Sequence, residues 1–341
     1  MSPNTFGSSE AALESAAGES AGGGAGAGTW ARRLLVIHNP VAGWRRRHRL
    51  WAVIERLEHR GCRVDLRETT CRGDAEAFAR AALADDYDRM VVAGGDGTIN
   101  EAINGLADRR LPLAVVPLGT ANVLAAEIGL GVRSAGVARA IADGPAATVA
   151  LGRIRGQDGR VRRFSMMAGI GFDAHVVARV DPMLKRWTGK LAYVVASLLQ
   201  LRDHRDRLYD VTVDGRKHRA ASVIVAKGHF YGGKFVVAPA ARLHEPYLHV
   251  CLFGRTGRWA VIRYALALFA GQLHRLPDVT LIRALRVEVD GPSGEPVQVD
   301  GDLDGRLPVA IDIDDRILRL AVPATTARRG ARVVPAAETA S

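Results

Sequence analysis

The most constraining feature of this sequence is an apolar run that leads directly into a glycine-rich turn. Residues 89–93 have strand character, residues 94–98 read Gly-Gly-Asp-Gly-Thr, and residues 101–106 are helical in pattern. Glycines let a backbone turn tightly and approach an anion, and the N-terminus of a following helix offers unpaired N–H groups. The segment therefore predicts a phosphate-binding turn. Taken alone, it is equally consistent with an ordinary turn in a βα unit.

Short β-branched runs alternate with amphipathic stretches from residue 33 to about residue 142. This alternation predicts an N-terminal α/β domain, a parallel sheet flanked by helices. Strand-like runs dominate beyond residue 144, beginning with 147–155 and 162–167, and predict a mainly antiparallel β-sandwich interrupted by helical runs at 191–201 and 259–273.

The predicted domain boundaries follow this change of pattern. They give a disordered tail (1–29), a nucleotide-binding domain (30–143), a β-rich substrate domain (144–323) and a C-terminal tail (324–341). The sequence leaves open whether the end of the β-rich segment returns to the first domain.

Composition limits the partners and the compartment. The chain has 341 residues and a formal net charge of +11, which favours an anionic partner. No nucleic-acid partner is expected, because no helix-turn-helix, zinc or RNA-recognition signature accompanies the charge. The three cysteines, without a C-x-x-C pair, argue against a disulfide framework and favour a reducing cytosol. The most apolar stretch, 259–273, is interrupted by Arg263 and is too short to span a bilayer.

Two further strand ends carry small, polar turns like the one at residues 94–98. Residues 39–43 read Asn-Pro-Val-Ala-Gly and residues 117–122 read Pro-Leu-Gly-Thr-Ala-Asn. Because the carboxyl ends of parallel strands meet at one edge of a sheet, we expect these turns to form one ligand site. Asp96 lies in the middle of the turn at residues 94–98, where a carboxylate suits a metal partner or a group that orients a substrate hydroxyl.

Five motifs in order resemble the diacylglycerol kinase catalytic domain family, which includes bacterial lipid kinases and the sphingosine kinases. They are residues 38–43, 94–101 with 104–106, 117–122, 169–173 and 300–302. The resemblance covers residues 33–323 and implies an α/β domain that binds ATP and a β-rich domain that closes over a lipid. It implies ATP-dependent transfer of the γ-phosphate to a hydroxyl of a diacylglycerol-like or sphingoid lipid, with Mg²⁺ accompanying ATP.

The same resemblance implies the site residues. The nucleotide-binding candidates are Asn39, Pro40, Gly43, Arg45 (or Arg46), Gly94, Gly95, Gly97, Thr98, Asn100, Glu101, Gly119, Thr120 and Asn122. The catalytic candidates are Asp96, Asp300 and Asp302, and Asp96 is also the candidate metal partner. Asp300 is preferred as the general base because it comes from the substrate domain, with Asp96 as the alternative. Asp302 stands where the family usually has Glu, and Val123 stands where many members have Asp.

Residues 240–249 occupy the place where bacterial members often carry an acidic stretch associated with a structural Mg²⁺. Here His244, Glu245 and His249 replace the acidic positions. Because Mg²⁺ prefers oxygen ligands, we do not expect that site to be retained. The histidines are interpreted as solvent-exposed loop residues, with a softer metal as the alternative.

A lipid kinase without a membrane span has to meet its substrate at a membrane surface. Basic residues beside Trp187 (Lys185, Arg186 and Lys190) and the run 191–201 predict a docking face at the cytoplasmic side of the membrane. A solvated basic face beside a core helix is the alternative, and the sequence leaves open whether the protein forms a homodimer.

The competing functions are an NAD kinase-like enzyme, which shares the Gly-Gly-Asp-Gly-Thr turn, and a non-catalytic nucleotide- or lipid-binding protein.

Overall fold

The computed structural model describes residues 32–42, 46–172, 174, 207–328 and 334–335. The predicted tail at 1–29, the basic cluster around Trp187 and the helical run 191–201 lie outside these residues. The first part alternates strands and helices: β1 (Arg32–His38), α1 (Arg47–Glu58), β2 (Cys62–Glu68), α2 (Asp74–Ala81), β3 (Arg89–Gly94), α3 (Asp96–Gly105), β4 (Leu113–Pro117), α4 (Val123–Glu127) and α5 (Ser134–Asp143).

The four strands pair in parallel in the order β2-β1-β3-β4. β3 and β4 are buried along their whole length, which explains why they are continuous apolar runs in the sequence. α1 packs with α5, and α2 packs with α3. Right-handed crossovers place these two pairs on opposite faces of the sheet, so the turns after β1, β3 and β4 share its carboxyl edge.

Strands dominate the second part. They are β5 (Ala146–Gly156), β6 (Val161–Phe164), β7 (Met167–Ile170), β8 (Tyr209–Val213), β9 (Arg216–Ala220), β10 (Ser222–Ala226), β11 (Phe230–Tyr231), β12 (Phe235–Val236), β13 (Leu248–Phe253), β14 (Val279–Ala284), β15 (Arg286–Asp290), β16 (Pro296–Val299), β17 (Asp302–Arg306), β18 (Val309–Ala321) and β19 (Val334–Pro335). α6 (Arg258–Phe269) and a 3₁₀ turn (Leu273–Arg275) follow β13, and α7 (Ala324–Arg328) follows β18.

Two sheets form the sandwich. One is antiparallel, in the order β14-β13-β10-β7-β16-β17, and the other contains β5, β6, β18, β15, β8 and β9. Apolar side chains from both sheets, including Phe164, Ile170, Val225, Val250 and Val289, form one buried cluster between them. The inward-facing residues alternate along the strands, as expected for face-to-face packing.

In three places the chain passes from one sheet of the sandwich to the other within one or two residues. The connections are Ser165 and Met166 between β6 and β7, Ala221 between β9 and β10, and Leu285 between β14 and β15. The sequence predicted a single strand over residues 162–167, which is wrong. The chain leaves the first sheet at Ser165 because the amides of residues 165–167 turn toward the carboxylate of Asp300.

The long strand β18 joins the two parts of the molecule. It pairs with β5 along most of its length and with β15 at its start, and Leu320 near its end pairs in parallel with Leu113 of β4. The parallel sheet and one half of the sandwich are therefore a single hydrogen-bonded sheet. This continuity fixes the β-rich part relative to the turns at the sheet edge.

The predicted order, a parallel α/β part followed by a mainly antiparallel β part, is confirmed. Within the described ranges, no helix is long and apolar enough to cross a membrane.

Candidate active site

The turn between β3 and α3 is tied to the turn after β1. Asn39 follows β1, and its side-chain amide donates to Oγ1 of Thr98 at 3.0 Å. The other end of the same side chain accepts hydrogen bonds from the amides of Val41 and Ala42. A β-carbon at Gly94 would lie 2.7 Å from Cβ of Thr98, so the first glycine of the turn leaves room for this side chain. The first two predicted turns are thus one connected unit.

The turn after β4 touches the glycine turn through backbone atoms. The amides of Leu118 and Gly119 both donate to the carbonyl of Gly94, at 3.0 and 3.2 Å. A β-carbon at Gly119 would lie 2.6 Å from Cα of Gly95. Only glycine allows this approach, which explains a glycine in each turn. The guanidinium of Arg46 donates to the carbonyls of Leu118 and Gly119 and holds the third turn from the α1 side.

Asp96 is the first residue of α3, and its carboxylate points to the N-terminus of α4. Its two oxygens accept hydrogen bonds from the amides of Asn122 (3.0 Å) and Val123 (2.7 Å). Burial raises the pKa of Asp96 to about 6, against the lowering effect of these amides. The carboxylate therefore joins the second turn to the third, whichever further role it has.

Asp300 lies in the two-residue turn between β16 and β17. Asp300 and Gly301 both have positive φ, 48° and 89°, as the tight hairpin turn requires. One carboxylate oxygen accepts from the amides of Met166 and Met167, each at 2.9 Å. The other accepts from the amide (2.9 Å) and hydroxyl (3.2 Å) of Ser165 and from the Asn100 side chain (3.0 Å).

These five hydrogen bonds give Asp300 a structural role. It connects the β16–β17 turn, the chain between β6 and β7, and α3. Burial raises the pKa of Asp300, which would suit a proton acceptor. Five donors nevertheless occupy its two oxygens, and the residue is 9 % exposed. The assignment of the base to Asp300 stays a prediction, and this geometry argues against it because a base needs a free oxygen directed at the substrate.

Asp302 is the carboxylate that faces the glycine turn. It is half-buried at the start of β17, and a β-carbon at Gly97 would lie 2.5 Å from its Oδ2. Within the described ranges, no donor forms a hydrogen bond to this carboxylate. Asp302 therefore combines a free carboxylate with contact to the N-terminal turn of α3, a combination that neither Asp96 nor Asp300 has.

Comparisons with known proteins identify the family. Residues 33–154 match the diacylglycerol kinase catalytic domain, and residues 166–322 match the YegS C-terminal NAD kinase beta sandwich-like domain. The chain belongs to the diacylglycerol kinase family. It is 32% identical over 277 residues to a diacylglycerol kinase from Mycobacterium tuberculosis (79% of this chain, 88% of that protein), and 29% identical over 284 residues to one from Bacillus subtilis (81% and 92%). A crystal structure of a diacylglycerol kinase from Bacillus anthracis has the same fold, with a TM-score of 0.69 and 23% identity over 87% of this chain and 99% of that chain.

The remaining candidates of this diacylglycerol kinase family member fall into three groups. Pro40 and Thr120 lie in the first and third turns, and Gly43 and Arg45 lie outside the described residues. Asn100 and Glu101 are on α3, two and three residues beyond Thr98, and both side chains form hydrogen bonds within the protein. Asn100 donates to Asp300 and to the carbonyl of Arg163, and Glu101 accepts from the amide of Gly73 at 3.1 Å.

Sequence reasoning missed two buried charged residues behind the third turn. Lys227 is fully buried after β10, and its ammonium donates to the carbonyls of Arg242 (3.0 Å) and Glu245 (2.7 Å). Glu127, the last residue of α4, is also buried and accepts from the amides of His229 and Phe230, each at 3.0 Å. The signal available in the sequence was a lysine directly after the apolar run 222–226.

The loop held by Lys227 belongs to residues 240–249, the segment that contains His244, Glu245 and His249. The interpretation of its histidines as exposed is wrong for His249, which is buried on β13 because the strand is covered on both sides. Burial lowers the pKa of His249. Within the described residues, no group of three His, Cys, Asp or Glu side chains could hold a metal ion. In this protein the side-chain ammonium group of Lys227 binds the carbonyls of this loop.

We expect Lys227→Met to lower the free energy of unfolding by about 3 kcal/mol at neutral pH. The substitution leaves two buried carbonyls unpaired and removes the cation near Glu127 and Glu245. Urea unfolding measures the effect, and Lys217→Met, on the exposed strand β9, is the matched control. Equal stability of the two variants would contradict the structural role of Lys227.

The same variant has a pH signature. Burial lowers the pKa of Lys227 from 10.5 to about 8 in the folded protein. The unfolded chain therefore binds one more proton between these values, and the stability of the native protein rises with pH across this window. The methionine side chain of the variant has no proton to lose, so the stability difference between the native protein and Lys227→Met should widen from about pH 8 to about pH 10.5.

Proposed function

We propose that this protein is an ATP-dependent lipid kinase that transfers the γ-phosphate of ATP to a hydroxyl of a diacylglycerol-like lipid. The observation that carries the proposal is the position of the Asp302 carboxylate against Gly97, at the start of the helix that follows the phosphate turn. Family membership supports a lipid kinase. The nucleotide, the acceptor and the division of roles among the three aspartates are part of the proposal.

The turns at the sheet edge suit the phosphates of ATP. Gly95 and Gly119 approach each other without side chains, and α3 starts at Asp96 with free N–H groups in its first turn. A buried side-chain oxygen of Asn122 has no hydrogen-bond partner and is available to a ligand group in the third turn. These features support Gly95, Gly97, Gly119 and Asn122 as nucleotide contacts.

Kinases of this type use ATP with a divalent cation, and the donor set here is compatible with Mg²⁺. Asp96 and Asp302 offer carboxylate oxygens near the phosphate turn, and oxygen is the ligand that Mg²⁺ prefers. Both oxygens of Asp96 already accept one amide each, so its first task is to lock two turns together. A bound Mg²⁺ would neutralise charge on the transferred phosphoryl group.

Asp302 takes the proton in this proposal. The lipid hydroxyl gives its proton to the Asp302 carboxylate as its oxygen attacks the γ-phosphorus, and the bond from that phosphorus to the β-phosphate oxygen breaks, so ADP leaves. Asp300 fixes the turn that presents Asp302, and acts through position alone. The products are the lipid phosphate, ADP and the proton that Asp302 releases to water.

A transfer assay tests the proposal directly. Purified protein is incubated with labelled ATP, Mg²⁺ and either diacylglycerol, a sphingoid base, phosphatidylglycerol or NAD. We expect label on diacylglycerol. Label on NAD alone would favour the dinucleotide kinase alternative, and ATP binding without transfer to any acceptor would favour a regulatory protein. Omitting Mg²⁺ should abolish the transfer.

A further inference from the structure

α6 has an apolar surface on both sides, although only one side is packed. Ala260 and Tyr264 face the core, and Ala267 and Leu268 pack against it. The opposite side carries Trp259, Ile262, Leu266 and Phe269, spaced three or four residues apart, as one face of a helix requires. A row of large apolar side chains along a helix is normally covered by another part of the protein or by a partner. The structure therefore presents a face that requires a partner.

The exposure of this face is large. Trp259 is 83 % exposed, and Leu266 and Phe269 are each 65 % exposed. We call the four residues Trp259, Ile262, Leu266 and Phe269 the α6 face. Its end is extended by Phe235 on β12, whose ring meets that of Phe269 edge to face at 4.7 Å between centroids. A continuous exposed apolar patch of this kind marks an interaction site.

The charge around the α6 face is positive. Four arginines and one histidine lie between residues 254 and 277, and no acidic residue does. Asp278, just beyond, pairs with Arg255 and Arg263. Lys234 and Arg275 are both exposed, one in the β11–β12 turn beside Phe235 and one in the 3₁₀ turn after α6. An exposed Trp with a helical apolar face and a basic rim is the pattern of helices that lie in a membrane interface.

The position of the face connects it with the site. β12 packs against α6, its partner β11 packs against α4, and α4 starts at the third turn of the active site. A surface on this side of the molecule would bring a membrane next to the helix whose N-terminus Asp96 binds. No other described helix presents three large apolar side chains at comparable exposure.

We propose that the α6 face docks this protein on anionic phospholipid membranes, with the apolar side chains in the interface and Lys234 and Arg275 against the headgroups. The proposal rests on the proposed function in one respect, since a membrane-resident acceptor gives the docking its purpose. The competing occupants are residues 175–206 of the same chain, which lie outside the described residues, and a second copy of the protein.

The first experiment measures co-sedimentation with vesicles. The triple variant Trp259→Ser/Leu266→Ser/Phe269→Ser should bind vesicles of phosphatidylcholine mixed with phosphatidylglycerol at least about tenfold more weakly than the native protein. Trp51→Ser/Leu83→Ser/Ile317→Ser is the matched control, because it removes three exposed apolar side chains elsewhere (46 %, 46 % and 54 % exposed). It should bind as the native protein does. Lys234→Gln/Arg275→Gln should reduce the preference for phosphatidylglycerol over phosphatidylcholine alone.

Three results would overturn the proposal. The triple variant could bind vesicles normally; it could melt at a markedly lower temperature, as expected if residues 175–206 cover the face; or it could convert a dimer to a monomer in gel filtration with vesicle binding unchanged.

Kinase activity separates the docking proposal from the proposed lipid kinase function. With diacylglycerol in vesicles the triple variant should lose activity in proportion to binding, and with a short-chain diacylglycerol dissolved in buffer it should keep it. Failure of the native protein to phosphorylate any lipid would refute the proposed function and leave the sedimentation result standing.

Discussion

Asp302→Asn is expected to lower kcat by about 10²- to 10⁴-fold, the contribution that a positioned general base makes. The amide has the shape of the carboxylate but does not accept a proton at neutral pH. Asp302 is half-buried, and within the described residues no donor depends on its carboxylate. The melting temperature should therefore change little, as for a substitution that breaks no buried interaction. Single-turnover kinetics with saturating ATP and lipid measures the effect on the transfer step.

Asp302→Glu is the control for this prediction. It retains the carboxylate and adds one methylene. We expect it to keep measurable transfer, since a carboxylate remains next to Gly97. If Asp302→Asn retained full activity, proton acceptance would have to be assigned elsewhere, with Asp96 as the remaining candidate on the glycine turn.

The architecture of the site edge was predictable from local sequence. Glycines and small polar residues after three apolar runs indicate strand ends, and the carboxyl ends of parallel strands meet at one edge. The structure brings these turns together through the bond between Asn39 and Thr98 and the contact between Gly95 and Gly119. The family motifs lie in the same order, and the matching domains cover most of the described chain.

The role of each aspartate was not predictable, because it depends on partners far away in the sequence. An Asp-Gly pair indicates a hairpin turn and gives no information on the direction of the Asp side chain. Asp300 turns inward only because the amides of residues 165–167 converge on it, more than 130 residues away. Asp302 gains its position from the same turn. Tertiary contacts thus divide two neighbouring carboxylates into a structural group and a candidate base.

The change of sheet between β6 and β7 escaped prediction for a related reason. Ser165 and Met166 lie inside a run, residues 162–167, that the sequence predicts as one strand. The chain bends there because of hydrogen bonds to the distant carboxylate of Asp300, which a local pattern does not reveal. Lys227 was missed because a lysine at the end of an apolar run is usually exposed, whereas here the loop carbonyls bind it.

Asp300→Asn is expected to lower the free energy of unfolding by about 2–4 kcal/mol, from lost charge-assisted hydrogen bonds and unpaired buried donors. Asparagine tolerates the positive φ of this position, so the turn itself is not strained. The cost comes from the side chain. Each carboxylate oxygen accepts at least two hydrogen bonds, and an NH₂ group in place of either oxygen would face the donors of Met166 and Met167 or those of Ser165 and Asn100.

Asp214→Asn provides the matched control for Asp300→Asn. Asp214 and Gly215 form the same kind of turn between β8 and β9, with φ of 45° and 83°, but the Asp214 carboxylate is exposed where it accepts from the amides of Leu285 and Arg286. Water can replace these bonds, so we expect the control to cost no more than about 1 kcal/mol. Thermal and urea unfolding of both variants measure the difference. An Asp300→Asn protein with native stability and no activity would instead assign the proton transfer to Asp300, because loss of transfer without loss of stability is the behaviour of a base and not of an anchor.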